Sequence, residues 1–198
     1  MKKISVCILS LLFFFHTALF AYNSNPKDFI NELVNETISK LSNKDLDKQE
    51  KTDFIKKIAF ENVDIDALGL YTLGELRNSS DEQTISRYKK VFKKYILKQL
   101  TSRLTDYSSS KFEILSVDKK SSNYTIVSSK IVPTDGSPEI KINWRIYTKN
   151  PDKPLIRDLI VEGLSMARVT KEEFASILSS NNNDINFLIN KLEDFTNN

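Results

Sequence analysis

Helices first, strands next and helices again is the order along this chain. It predicts an α+β domain, a curved four-stranded antiparallel meander covered by helices. Three observations carry the prediction. Apolar residues recur every three or four positions from Asn25 to Asp106, alternate from Lys111, and return to helical spacing after Gly163. Short turns separate the alternating runs, which antiparallel neighbours allow and parallel ones do not. Leu155–Ser165 is apolar on both faces and must be covered on both.

Asn25-Pro26 supplies an N-cap and a proline at the first helical position, ahead of Phe29, Ile30, Leu33, Val34, Ile38 and Leu41 on one face. A polar break at Asn43–Asp47 precedes a second helix over Asp47–Phe60, which should bury Phe54, Ile55, Ile58 and Ala59. Val63–Asp66 caps a short, mostly apolar helix through Leu68, Leu70, Tyr71 and Leu73, and Gly74 suits its C-terminal end. Ser80 and Gln83 have the spacing of a capping box and open the longest helix, over Asp81–Asp106. That helix sets Tyr88, Val91, Phe92 and Tyr95 on one face and Arg87, Lys90, Lys94 and Lys98 on the other. A charged helix face is most simply a solvated one; docking on an acidic partner or an anionic membrane surface is the sharper alternative.

Phe112–Val117 and Tyr124–Val132 read as strands, and the turn at Pro133–Pro138 centres on Asp135-Gly136. In the third strand Ile140, Ile142, Trp144 and Ile146 face one way, while Lys141, Asn143, Arg145 and Tyr147 face the other. Asn150–Pro154 then turns into the fourth strand, Leu155–Ser165. Thr170 and Glu173 form a second capping box ahead of Phe174, Ile177 and Leu178. Asp184–Phe195 closes the chain with Ile185, Leu188, Ile189 and Leu192 at helical spacing.

Lys2 and Lys3 precede an apolar run over Ile4–Phe20, and Ala21 offers a small residue for cleavage. Residues 1–21 therefore read as a secretory signal peptide and 22–198 as a single domain. The run falls short of the ~20 residues of a spanning helix. The chain's only cysteine, Cys7, and only histidine, His16, sit in that leader. The expected mature chain thus has no thiol and no imidazole, which excludes Ser-His-Asp and Cys-His catalysis, His- or Cys-built zinc sites and disulfides. No D-x-D-x-D-G calcium loop is present, so no metal is expected. The formal charge of +3 falls to about +1 without Lys2 and Lys3, and there is no Gly-rich phosphate loop; no nucleic-acid partner is expected.

Asp158 and Glu162 are the carboxylates placed for partial burial, on one strand face with Ile156 and Ile160. At ~13 Å apart they cannot act as a pair. Either could serve alone as a general base, but a structural ion pair (with Lys141, Arg145 or Arg157) or a cap for a neighbouring turn is the simpler reading. Trp144, the only tryptophan, suits core packing or a ligand wall. Gly163 fits a positive φ at the strand end. Ser165 has no histidine to activate it as a nucleophile. Binding is favoured over catalysis.

Several stretches in order and spacing then carry a resemblance: Leu73-Gly74, Ser80–Gln83 leading to Phe92, Leu104–Tyr107, Ile140–Trp144 and above all Asp158–Ser165, followed by Phe174, Ile177, Leu188 and Leu192. From about Val63 to Leu192 the chain resembles the MlaC family, the toluene-tolerance periplasmic phospholipid carriers. It departs from the family pattern at Leu76, Leu100 and Lys171, where Trp, Tyr and Arg are often found.

The resemblance implies a periplasmic monomer without enzymatic activity or cofactor, whose sheet and helices enclose an apolar cavity for the acyl chains of a phospholipid. It implies lipid shuttling between an outer-membrane lipoprotein–porin complex and an inner-membrane ABC transporter with an MCE-domain subunit, maintaining outer-membrane lipid asymmetry. The expected cavity wall is Leu70, Tyr71, Leu73, Tyr95, Trp144, Ile146, Leu159, Val161, Leu164 and Met166. Whether Leu159 and Val161 or Ile156 and Ile160 face inward depends on register. Two alternatives stay open: a carrier or chaperone for another apolar cargo, and a small-molecule enzyme on a cone-shaped α+β fold using Asp158 as a lone base.

Overall fold

The computed structural model describes residues 22–104, 110–134 and 136–197. The expected signal peptide, the Thr105–Tyr107 part of the resemblance and Asp135 of the hairpin turn lie outside the described residues. Element order is α1 Pro26–Ser42, α2 Lys48–Asn62, α3 Ile65–Thr72, α4 Leu76–Ser79, α5 Glu82–Leu104, β1 Ser110–Ser121, β2 Tyr124–Pro133, β3 Ile140–Tyr147, β4 Leu155–Val161, β5 Leu164–Ser165, α6 Met166–Ser179 and α7 Ile185–Asn197. The α+β class holds, and the strands form one antiparallel sheet in the order β1-β2-β3-β4-β5. The expected four-stranded meander gains a fifth strand. Glu162 and Gly163 both take positive φ, 48° and 83°, and this tight turn folds Leu164 and Ser165 back onto Val161 and Ile160.

Local chemistry explains the helix starts, and in two places moves them. Asn25 accepts from the Lys27 amide, and Asp47 with Glu50 forms a complete capping box. At α5 the cap is Asp81, not Ser80: its carboxylate accepts from the Thr84 amide at 2.9 Å and from the Thr84 hydroxyl at 2.7 Å. A carboxylate is the stronger acceptor, and it sits where the helix N-terminus is positive. At α6 the cap is Ser165, five residues before the expected Thr170. Thr170 lies inside the helix and returns its hydroxyl to the Met166 carbonyl.

Two apolar cores result. One is helical, with Tyr88, Phe92 and Tyr95 of α5 packed against Phe174 of α6 and Leu188 and Ile189 of α7. The other joins α1 to the sheet, with Phe29, Ile30, Leu33 and Val34 on Val127, Ile142, Trp144, Ile146 and Ile156. Val63 packs against both. It also pairs with Ile156 along the edge of β4 that β5 leaves bare, while the Asp64 amide bonds the Ile156 carbonyl at 2.9 Å. That edge is therefore closed. The β1 edge is protected otherwise, by register irregularities after Ile114 and Lys119 and by the charges of Lys119 and Lys120.

Candidate functional site

Register assigns every side chain of the sheet to a face. Four cross-strand rows share the face under α1: Phe112–Ile131–Ile140; Ile114–Ser129–Ile142–Val161–Leu164; Val117–Val127–Trp144–Leu159; and Thr125–Ile146–Ile156. A bulge between Arg145 and Ile146 places Arg157 out of step. It puts Ile156, Leu159 and Val161 all on the α1 face and turns Asp158 and Ile160 to the other. The alternation expected from the sequence, with Ile156 on the face of Asp158 and Ile160, is thereby corrected.

These rows are not equally covered. Val127, Ile146 and Ile156 are buried in the core they share with α1, and Trp144 nearly so. At the other end Phe112, Ile114, Ile131, Ile140 and Val161 are only half-buried, and Leu164 is 54% exposed. The result is an apolar seam shared with α1, buried at one end and partly open to solvent at the other. One polar chain crosses it, and it is satisfied. The Trp144 indole donates to Ser129 Oγ at 2.8 Å, and Ser129 Oγ donates to the Ile142 carbonyl at 3.1 Å.

Of the ten residues expected to line a cavity, Trp144, Ile146, Leu159 and Val161 come together in this seam, and Leu164 extends its open row. Leu73 and Tyr95 belong to the helical core instead. Leu70, Tyr71 and Met166 lie in neither core; Tyr71 is 40% exposed, beneath the Lys171 ammonium. The sequence reading missed Phe112, Ile114, Ile131 and Ile140 and the whole α1 stripe. Their signal was present, as alternation in the strands and three-four spacing in α1. What was absent was the pairing that joins them.

The opposite face explains the two acids. Asp158 is buried; its Oδ2 accepts from Ser165 Oγ at 2.6 Å and pairs with Arg145 Nη1 at 3.3 Å, and its Oδ1 accepts the Ala167 amide at 2.9 Å. It ties β4 to the first turn of α6. Glu162 is exposed in the Gly163 turn and accepts the Lys141 amide. Asp158 makes the Arg145 ion pair and Glu162 the turn contact that the simpler reading described.

The basic face of α5 is largely spoken for. Arg87 bonds Glu193 and Asn190 of α7, Lys89 reaches Asp66, Lys93 sits over the Phe60 ring and Lys98 bonds the Phe195 carbonyl. The Glu193 contact raises the Arg87 pKa and, in turn, holds the Glu193 carboxyl below its usual range. Lys90 and Lys94 stay exposed. The depression beside Lys90 is lined by Asp81, Glu82, Gln83, Ser86, Arg87 and Lys90 of the first turns of α5, with no hydrophobic residue among them. Among the described residues no acidic, His or Cys cluster could hold a metal, and no helix is long and apolar enough to cross a membrane.

The MlaC protein family model matches residues 31–194 of this chain. The chain belongs to the MlaC family. No curated protein matches it. Among solved structures it is similar to a phospholipid-binding protein from Ralstonia solanacearum, determined in complex with a phospholipid. The two share 13% identity and a TM-score of 0.70 over 84% of this chain and 94% of the other. At that identity the likeness is one of fold. MlaC membership thus rests on the family match and the MlaC-like architecture on the coordinates: an antiparallel sheet with one helix across its apolar face and a helical core beside it.

Proposed function

We propose that the chain is a periplasmic phospholipid carrier that takes acyl chains into the seam between α1 and the sheet. The observation that carries this reading is the half-buried apolar end of the seam, which leads on into buried rows. Family membership supports it, as does the phospholipid named for the Ralstonia protein. Each buried CH₂ contributes about 0.8 kcal/mol, so a diacyl lipid cannot cross water at a useful rate unless a protein covers its chains. Such a carrier needs apolar surface and no reactive group, in keeping with residues 22–198 having neither His nor Cys.

In this reading the leader at residues 1–21 exports the chain and the headgroup stays at the open end. Lipid passes between an outer-membrane lipoprotein–porin complex and an inner-membrane ABC transporter with an MCE-domain subunit, maintaining lipid asymmetry. Among the described side chains of α5, Lys90 and Lys94 are the cations left for docking. The expected wall keeps Trp144, Ile146, Leu159, Val161 and Leu164 and adds Phe112, Ile114, Ile131 and Ile140. Catalysis by Asp158 is disfavoured because hydrogen bonds and an ion pair occupy both its oxygens.

Val161→Glu and Leu164→Glu test the proposal, because both sites are exposed enough to take a charge without unfolding the chain. Each variant should fold and lose co-purifying lipid. Full lipid content in both would remove the seam from the binding path.

A further inference from the structure

Polar ties hold the other long helices to their neighbours, and α1 stands apart from them. Lys93 of α5 sits over the Phe60 ring of α2, and the Asp64 amide that follows α2 bonds the Ile156 carbonyl. Lys89 of α5 pairs with Asp66 of α3 at 3.3 Å, and Arg87 of α5 with Glu193 of α7 at 2.8 Å. Asp158 of β4 accepts the Ala167 amide of α6. Residues 22–42, in contrast, bond with one another. Tyr22 bonds Glu36, the Asn23 amide bonds Glu32, Asn35 bonds Asn31, and the Thr37 hydroxyl returns to the Leu33 carbonyl. Among the described residues no hydrogen bond or ion pair joins this stretch to the sheet or to another helix.

What holds α1 is apolar contact. Phe29 and Ile30 are 1% and 0% exposed, and with Leu33 and Val34 they fill the core shared with Trp144 and Ile146. At its C-terminal end α1 runs into Asn43–Asp47, a polar turn whose hydrogen bonds reach only the adjoining helices.

We propose that α1 is the movable cover of the lipid seam. It swings about Asn43–Asp47, and acyl chains take the places that Phe29, Ile30, Leu33 and Val34 hold in the lipid-free chain. This inference rests on the carrier reading and names how that site opens. The deep end of the seam is packed, so an acyl chain reaches Trp144 and Ile146 only where α1 side chains withdraw. Withdrawal breaks no hydrogen bond to the sheet and strands no charge. Its cost is the apolar surface it uncovers, and methylenes laid on that surface offset it. Lipid and α1 therefore compete for one surface, and the affinity for lipid is lowered by the fraction of chains in which α1 is closed.

The test loads the exported chain, residues 22–198 stripped of lipid, from vesicles of palmitoyl-oleoyl phosphatidylglycerol. That stretch holds no cysteine and one tryptophan. Lys27→Cys, at an exposed site on the end of α1 away from Asn43–Asp47, thus carries a single fluorescent acceptor for Trp144. Loading should lower the efficiency of energy transfer from Trp144 to that acceptor. Leu33→Ala loosens the closed state and should load at about tenfold lower lipid concentration; if it does not fold, Val34→Ala is expected to shift loading the same way. Lipid bound at unchanged transfer efficiency, or a folded variant that loads no more readily than the unaltered chain, overturns the moving cover and leaves the carrier reading standing. A chain that takes up no lipid overturns both.

Discussion

Ser129 shows how much a single side chain can decide in this seam. It is 1% exposed, accepts from the Trp144 N–H and donates its own O–H to the Ile142 carbonyl. Ser129→Ala leaves a buried indole donor unpaired, which costs about 1–3 kcal/mol; urea denaturation should show the midpoint falling with an unchanged slope. Tyr88 makes a residue-level prediction about pH. Burial above all, with Tyr95 adding to it and the Thr72 hydrogen bond opposing it, lifts the Tyr88 pKa well above its ordinary value. Tyr22 is lifted likewise by burial and by its bond to Glu36. The folded state then keeps a proton that the unfolded chain releases near pH ~10. Stability should hold below that pH and fall as pH rises past it, and Tyr88→Phe should flatten the fall. A steep fall that survives in the Tyr88→Phe, Tyr22→Phe double variant would reject this cause. The face of Trp144 was legible from alternation alone. The faces of Ile156 and Asp158 were not, because the irregularity at Arg157 depends on how β3 and β4 pair and leaves no mark in either strand.

At the scale of elements, type and order were readable and the joints were not. Ser80 and Thr170 satisfy the capping pattern as well as Asp81 and Ser165 do. The choice falls to contacts: a bidentate Asp81–Thr84 clamp in one case, and the turn at Gly163 that delivers Ser165 to Asp158 in the other. Strand β5 was read as the tail of β4 for the same reason. Gly69 in α3 tests how tightly the helices meet. A Cβ there would stand 2.8 Å from Phe92 Cδ1, and Phe92 is 1% exposed and packed against Tyr88, Tyr95 and Phe174. Gly→Ala inside a helix ordinarily gains up to about 1 kcal/mol, while overpacking a core costs about 1–3 kcal/mol. The clash should win, so Gly69→Ala should lower the thermal midpoint; a raised midpoint would mean that α3 slides freely on α5.

For the whole molecule, the α+β class and the family were legible, because period changes and ordered motifs survive in a single sequence. The division into two cores was not. Leu73 and Tyr95 look as fit for a lipid wall as Trp144, and only packing sends them to the helices. An apolar face open at one end is a poor arrangement for a protein meant to stay empty, since exposed apolar area costs about 25 cal/mol per Å². The native protein should therefore arrive with cargo. The most direct measurement is mass spectrometry of the organic extract from protein purified without detergent. Diacyl phospholipid in near-equimolar amount is the predicted result. An extract with no lipid, or one holding a sterol or an acylated peptide instead, would contradict it.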